Sequence, residues 1–496
     1  MIYKQHIRKC VIILFSFLLV SILYSAFFHM VSADAMLESG FIVRAKMKAL
    51  TANPAPDHEG EPYLIRAIRM ADSLPDNFIP SEVNIVSTPQ SNKPIYAFFD
   101  NEDNAGIMYF YTEDNRIKMN PYSGYMFANN DALIDISGLT DWNTSEVLDF
   151  GGLFSNARNL QDISAIKNWD TSKVLNMSRL LGGAEKITDI NALSNWDTTN
   201  VKNMFGLLSG AKSLPDALAL RNWNTSNVEN MSYMFADAES LMFVDVSNWN
   251  TGKVTDMTCM FQVGQSYKGN GQLVEINGLG NLDVSNVTDM TCMFYGAGQM
   301  TYYDVSDWDV SKVESMNHMF CDNYKLVSLD LSNWDVSSVK TMYCMFDDCQ
   351  ALKTIGDVSH WNTVSLIDAG AWINDARSFV GNNEGLLDLS GWNTTNLKAA
   401  GEMFLNTKIH TIDLSGWSFD SITNDTWEEW GHGIFYEIGN SSEILRGFGQ
   451  MFKGTKDLTT VYVSQSGLDS FNAAVEREVN TLDMWTDSKS DGFTVK

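Results

Sequence analysis

Residues 326–346 read LVSLDLSNWDVSSVKTMYCMF, and this stretch decides the fold. Leu329 and Leu331 flank Asp330, the alternation of a short strand with one buried face. After Trp334, the residues Val339, Met342, Met345 and Phe346 fall at i, i+3, i+6 and i+7, which predicts one face of a short helix. The phrase then repeats. Trp142, Trp169, Trp196, Trp223, Trp249, Trp308, Trp334, Trp361, Trp392 and Trp417 fill one slot, and Leu282 takes the one gap. A period of roughly 26 residues marks an array whose units bury their apolar faces on one another. The expected fold is therefore an α/β solenoid, with one short parallel strand and one short helix per coil.

Earlier coils, such as Leu133-x-x-Ile136-x-x-Leu139-x-x-Trp142, carry one residue more than the later form. Ser226 with Glu229, and Ser311 with Glu314, have capping-box spacing at the predicted helix starts. Residues 262–272 and 423–447 interrupt the rhythm and read as loops leaving the stack. We expect a leader in 1–33, an N-terminal cap in 34–125, repeats over 126–464 and a closing tail in 465–496. Within the cap, residues 63–71 allow a short helix. IYAFFD, IMYFYT and RIKMN read as an antiparallel sheet over the first repeat, with NEDNAG as a turn. A helix over 471–482 is expected to close the far end.

Composition narrows the function. A formal net charge of −27 argues against nucleic acid and against unaided binding to anionic membranes. Lys4, Arg8 and Lys9 precede an apolar run at 11–28, and Val31-Ser32-Ala33 has the small-residue pattern of a cleavage site. This reads as a secretory signal, or else as an anchor that is the chain's sole membrane contact. Either places the remainder outside the cytoplasm. Cys10 precedes the apolar run, and the five later cysteines are too sparse for a disulfide framework.

The Trp column reads as core, because a buried indole hides roughly 150–250 Å² and an exposed row would invite aggregation. From Trp142 to Trp392 the residue after the Trp is Asn or Asp without preference, as a side chain that closes a turn allows and a metal ligand does not. The best binding candidate is an acidic column on the strands, four residues before the Trp: Asp245, Asp304, Asp330, Asp357, Asp388 and Asp413. In the earlier coils Asp135, Asp162, Asp189 and Asp216 lie seven before it. Carboxylates stacked ~4.8 Å apart repel one another, so raised pKa values or weak divalent-cation binding are expected. Otherwise each is the solvated position of a strand.

Cys259, Cys292 and Cys344 share a column with His318. The column leaves open a Cys259–Cys292 disulfide or a metal site, beside the plainer reading as small filler. No protease, hydrolase or nucleotide-binding motif appears, so no enzyme and no cofactor is expected. Trp427, Glu428, Glu429, Trp430 and His432 form the one dense mixture of aromatic and ionisable groups.

The pattern Leu-x-x-Leu-Asp-Leu-Ser-x-Trp-Asp-(Thr/Val)-Ser-x-Val-x-x-Met-x-x-Met-Phe resembles the repeat of BspA-like leucine-rich-repeat bacterial surface proteins, over about residues 95–464. The resemblance implies a leucine-rich-repeat-like solenoid that is secreted or displayed on a cell surface. It also implies adhesion to a protein or glycan on host or neighbouring cells. A self-associating structural role is the alternative. Trp334 and its equivalents stand where the standard repeat L-x-x-L-x-L-x-x-N has Asn.

Overall fold

The Trp slot organises the packing. All ten indoles are buried, at 1–5% exposure, and Leu282 is buried in the same row. From the second coil on, each indole Nε1 donates to a carbonyl of the preceding coil: Trp169 to Leu139 (3.2 Å), Trp334 to Val305 (2.9 Å), Trp417 to Leu389 (3.1 Å). Buried Thr hydroxyls two residues after the Trp donate forward, as from Thr144 to Asp170 O and from Thr171 to Asp197 O, both at 2.9 Å. Each unit is thus tied backward by an indole and forward by a hydroxyl, both in a dry interior where an unmade hydrogen bond is costly.

The structure is a computed structural model and describes residues 35–51, 65–91, 93–113, 116–264, 270–382, 385–422, 451–452, 454–478 and 493–495. It is a mixed α/β fold with few helices and small parallel sheets. Parallel bridges run from unit to unit through Tyr122, Asp149, Asn176, Asn203, Asn230, Asp256, Asp289, Ser315, Thr341, Asp368 and Ala399. A second line of pairing follows the predicted strands. There Phe243–Asp245 pairs Glu275–Asn277, and Leu386–Asp388 pairs Thr411–Asp413, which continues to Thr460–Val463 and Phe493–Val495. Phe261, Phe294, Phe320 and Phe346 stack in a row, with ring centroids 5.4–5.7 Å apart.

The predicted helix after the Trp is absent. Val339, Met342, Met345 and Phe346 are buried as expected, but the segment is a run of turns. In the equivalent coil, the N–H groups of Phe150, Gly152, Phe154 and Asn156 donate to carbonyls of the next unit at 2.6–3.0 Å. Those of Leu153, Ser155 and Ala157 close three-residue turns. Two left-handed positions per coil, Gly152 and Asn156 here and Cys344 and Asp348 later, make this alternation possible. Donors given to the neighbour are lost to an i→i−4 ladder, so the apolar period is helical and the backbone is not. The capping boxes do not form either. The Ser226 N–H and hydroxyl donate to Asn224 Oδ1, and Glu229 pairs with Lys202. Glu314 likewise pairs with Lys340. In the early coils the extra residue is taken up by 3-10 turns at Ser137–Leu139, Ser164–Ile166, Asn191–Leu193 and Leu218–Leu220.

The cap differs in detail from expectation. The helix spans Gly40–Thr51, and Ala67–Met70, in the stretch that allowed a helix, is a strand. Tyr96–Asp100 and Ile107–Tyr111 form the expected antiparallel hairpin around a 3-10 turn at Glu102–Asn104. The third strand of the sheet is Ala67–Met70, paired parallel to Ile107–Tyr111, whereas Ile117–Lys118 pairs Ala35–Met36. Ala67–Met70 also meets the first unit, through the Ala67–Asp135 bridge and an Arg69–Asp135 ion pair that holds the Asp135 carboxyl down at about 2. At the other end, helix Gln465–Glu478 begins before the predicted start and packs Phe471 against Phe419 at 5.2 Å. Residues 1–33 and 423–447, and with them the Trp427–His432 cluster, lie outside the described residues. Among the described residues, no helix is long and apolar enough to cross a membrane.

Candidate functional site

The outward side of the strands is built from residues two apart. In Phe243–Asp245, Val244 is buried while Phe243 and Asp245 face out. The same alternation places Glu275 and Asn277 around Ile276, Tyr302 and Asp304 around Tyr303, and Ser328 and Asp330 around Leu329. The acidic column predicted from the sequence is therefore brought together on one face, with Asp304, Asp330 and Asp357 exposed and Asp388 half-buried. Asp413 departs from it, being buried beneath strand Thr460–Val463, which pairs Tyr462 with it.

Five of these six carboxylates also have work inside the fold. The Oδ1 atoms of Asp245, Asp330, Asp357, Asp388 and Asp413 accept the N–H of the serine two residues on, at 2.9–3.1 Å. Asp135, Asp162, Asp189 and Asp216 likewise accept the N–H two residues on, from Ser137, Ser164, Asn191 and Leu218, at the early 3-10 turns. For Asp245 and Asp357 the expectation of raised pKa values is reversed. Desolvation raises Asp245, but Ser247, Asn277 and Arg221 together lower it on balance, and hydrogen bonds from Ser359 lower Asp357. The Asn/Asp column after the Trp closes turns as read, for example Asn143 to the Ser145 N–H (3.0 Å) and Asp335 to the Ser337 N–H (3.0 Å).

The sequence reading missed the apolar residues beside this column. Met242, Phe243, Val274, Tyr302 and Val327 are all 38–55% exposed, in four successive units. Met242 and Val274 are neighbours across the strand pair, and the Val327 N–H donates to Thr301 O. The available signal was large apolar residues six to eight before the Trp slot, where Gln161 and Thr188 stand in earlier coils. The Tyr302 phenol is pushed up by desolvation and by Asp304, Asp330 and Asp307 around it. Elsewhere charges pair between units: Lys173 with Glu146, Lys202 with Glu229, Lys212 with Glu185 and Lys340 with Glu314. Among the described residues, Asp245, Glu275, Asp304 and Asp330 join no ion pair within 4.0 Å. A groove of ≈ 460 Å³ between two early coils is lined by Gln161, Asp162, Lys167, Asn168, Asp189 and Asn191, with both Asp residues engaged in turns.

The Cys column is the first of the two left-handed positions, with φ of 53° at Cys259, 55° at Cys292, 53° at His318 and 54° at Cys344. The Cys259 thiol is pushed up by its neighbour Cys292 and by burial, and all five described cysteines are free. Among the described residues no three ligating side chains converge on one point. His318 is buried between Tyr295 and Tyr343, which lowers its pKa to about 4.

This geometry defines a repeat protein whose stacked units present one continuous face. The chain belongs to the family described as "Mycoplasma protein of unknown function, DUF285", whose profile matches residues 123–219, 188–278, 268–386 and 356–428, together more than half its length. No curated protein matches it. Among solved structures it is similar to a chain of the Drosophila Toll–Spatzle complex, titled "a molecular hub in Drosophila development and innate immunity". That similarity has 11% identity and a TM-score of 0.17, over 63% of this chain and 54% of the other. The chain thus spans about half the length of the structure it matches.

Proposed function

We propose that the chain is an exported, BspA-like leucine-rich-repeat solenoid that acts as an adhesin, binding a protein or glycan of a host or neighbouring cell through its strand face. The leader at 1–33 carries the export reading. One observation carries the binding reading: among the described residues Asp245, Glu275, Asp304 and Asp330 join no ion pair, while Glu146, Glu185, Glu229 and Glu314 each pair with a lysine of an adjoining unit. An array of this kind offers a long surface and no deep pocket, which suits adhesion better than catalysis. Pull-down on matrix proteins and whole cells, with and without chelator, tests it. Binding to at least one class is expected, and no binding under any condition overturns the reading. A self-associating surface protein is the second reading, favoured by the exposed apolar residues on the same face. Sedimentation at rising concentration separates the two, since a self-assembler forms oligomers without a ligand.

A further inference from the structure

Met242, Phe243, Val274, Tyr302 and Val327 are exposed apolar residues at matching positions of four successive units, a strip about 15 Å wide if the units keep the usual strand spacing. Contiguous exposed apolar surface rimmed by polar groups marks an interaction site. Here the rim is of one sign. Asp245 lies two residues from Phe243 on the same side, Glu275 is paired across from Phe243, Asp304 lies two residues from Tyr302, and Asp330 belongs to the next unit. Arg221 acts on Asp245 electrostatically without forming an ion pair. An apolar partner alone would leave these carboxylates poorly solvated, and a purely basic one would leave the Val and Met side chains uncovered.

We propose that this strip, residues 242–330 of the strand face, docks a polypeptide segment in which Lys or Arg is interspersed with aliphatic residues. Its aliphatic side chains cover Val274 and Val327, and its cations reach Asp304 and Asp330 and lie over the Tyr302 ring. The proposal deepens the adhesin reading and rests on it for its biological role. A glycan would use the rings and carboxylates but gains nothing from three aliphatic side chains among them.

The test measures anisotropy of a labelled peptide alternating Lys with Leu, added to the purified full chain at low and high salt. The comparison peptides carry Ser for Leu, or Glu for Lys. The alternating peptide is expected to bind, the Ser version about tenfold more weakly, and the Glu version not at all. The double variant Val274→Ser, Tyr302→Ser should weaken binding about tenfold. The variant Asp304→Asn, Asp330→Asn should weaken it and flatten its salt dependence. Val364→Ser, at an exposed apolar residue elsewhere, should change nothing. Tryptophan emission and near-ultraviolet circular dichroism confirm folding, and Phe243→Ser alone serves if the double variant does not fold. Equal binding of the three peptides, no loss in the strip variants, glycan binding in place of peptide binding, or dimers abolished by Val274→Ser overturns the proposal. Cell adhesion of the same proteins is read in parallel. If wild type and strip variants adhere alike, the strip assignment fails and the adhesin reading stands. If peptide binding follows the strip but no cell or matrix protein is bound, the adhesin reading fails alone.

Discussion

At the residue scale, buried polar atoms make the sharpest predictions. Asp368 is buried in the bridge column and accepts the Gly370 N–H at 2.8 Å, yet burial raises its pKa from 3.8 to about 6. A carboxyl raised in the folded state contributes fully below its unfolded value and loses that contribution as pH rises through the folded one. The displacement corresponds to ~3 kcal/mol. Asn176, Asn203 and Asn230 hold the same column in other coils, each accepting the N–H two residues on. Asp368→Asn should therefore stabilise the protein at pH 7 by up to ~3 kcal/mol, with the gain vanishing near pH 3.5, as read by urea denaturation at both pH values. The indoles offer a paired comparison. Trp334 donates to Val305 O, whereas the Trp142 Nε1, in the first coil, is buried without a partner. Trp334→Phe should cost roughly 1–2 kcal/mol more than Trp142→Phe in thermal denaturation. Equal costs would mean that the indole hydrogen bonds contribute little.

At the scale of the element, the left-handed turn positions decide what the sequence could reveal. The Trp, Leu and Asn/Asp columns were legible because each has one strict requirement: burial, or a short acceptor two residues before an N–H. The turn segment was misread because Val339, Met342, Met345 and Phe346 satisfy helical periodicity equally well. What separates the two is φ, and the first left-handed column is filled by Tyr125, Arg179, Tyr233, His318, Ala371 and Glu402, residues that do not announce it. The second is legible in retrospect, with Asn129, Asn156, Asp237, Asp322, Asp348, Asp375 and Asn406 tolerating the conformation. Of the candidate site, the acidic column was visible and its apolar border was not, because polar residues such as Gln161 and Thr188 hold the same positions in other coils. Ala371 has φ 50°. Left-handed backbone costs a non-glycine residue roughly 1–2 kcal/mol, and glycine returns part of that as chain entropy. Ala371→Gly should stabilise the protein by ~0.5–1 kcal/mol in denaturant melts, and destabilisation would show that the methyl group's packing dominates.

At the scale of the molecule, the indole, hydroxyl and backbone bonds of each unit run to adjoining units, and the Gly40–Thr51 and Gln465–Glu478 helices belong to the two ends. The surface ion pairs between units are exposed and worth at most ~1 kcal/mol each, so cohesion comes from the indole, Phe and Met rows and the backbone bridges. Those bridges join each unit to the next in parallel register, one coil after another. A tether gripped at both termini would load them serially and shed windings singly, like thread leaving a spool. Each winding should release about 85 Å of slack, the extended length of one repeat. Force spectroscopy on the chain should record evenly spaced rips of that size. A single catastrophic rip would mean that the repeats yield together, and a chain so built could not lengthen gradually under load.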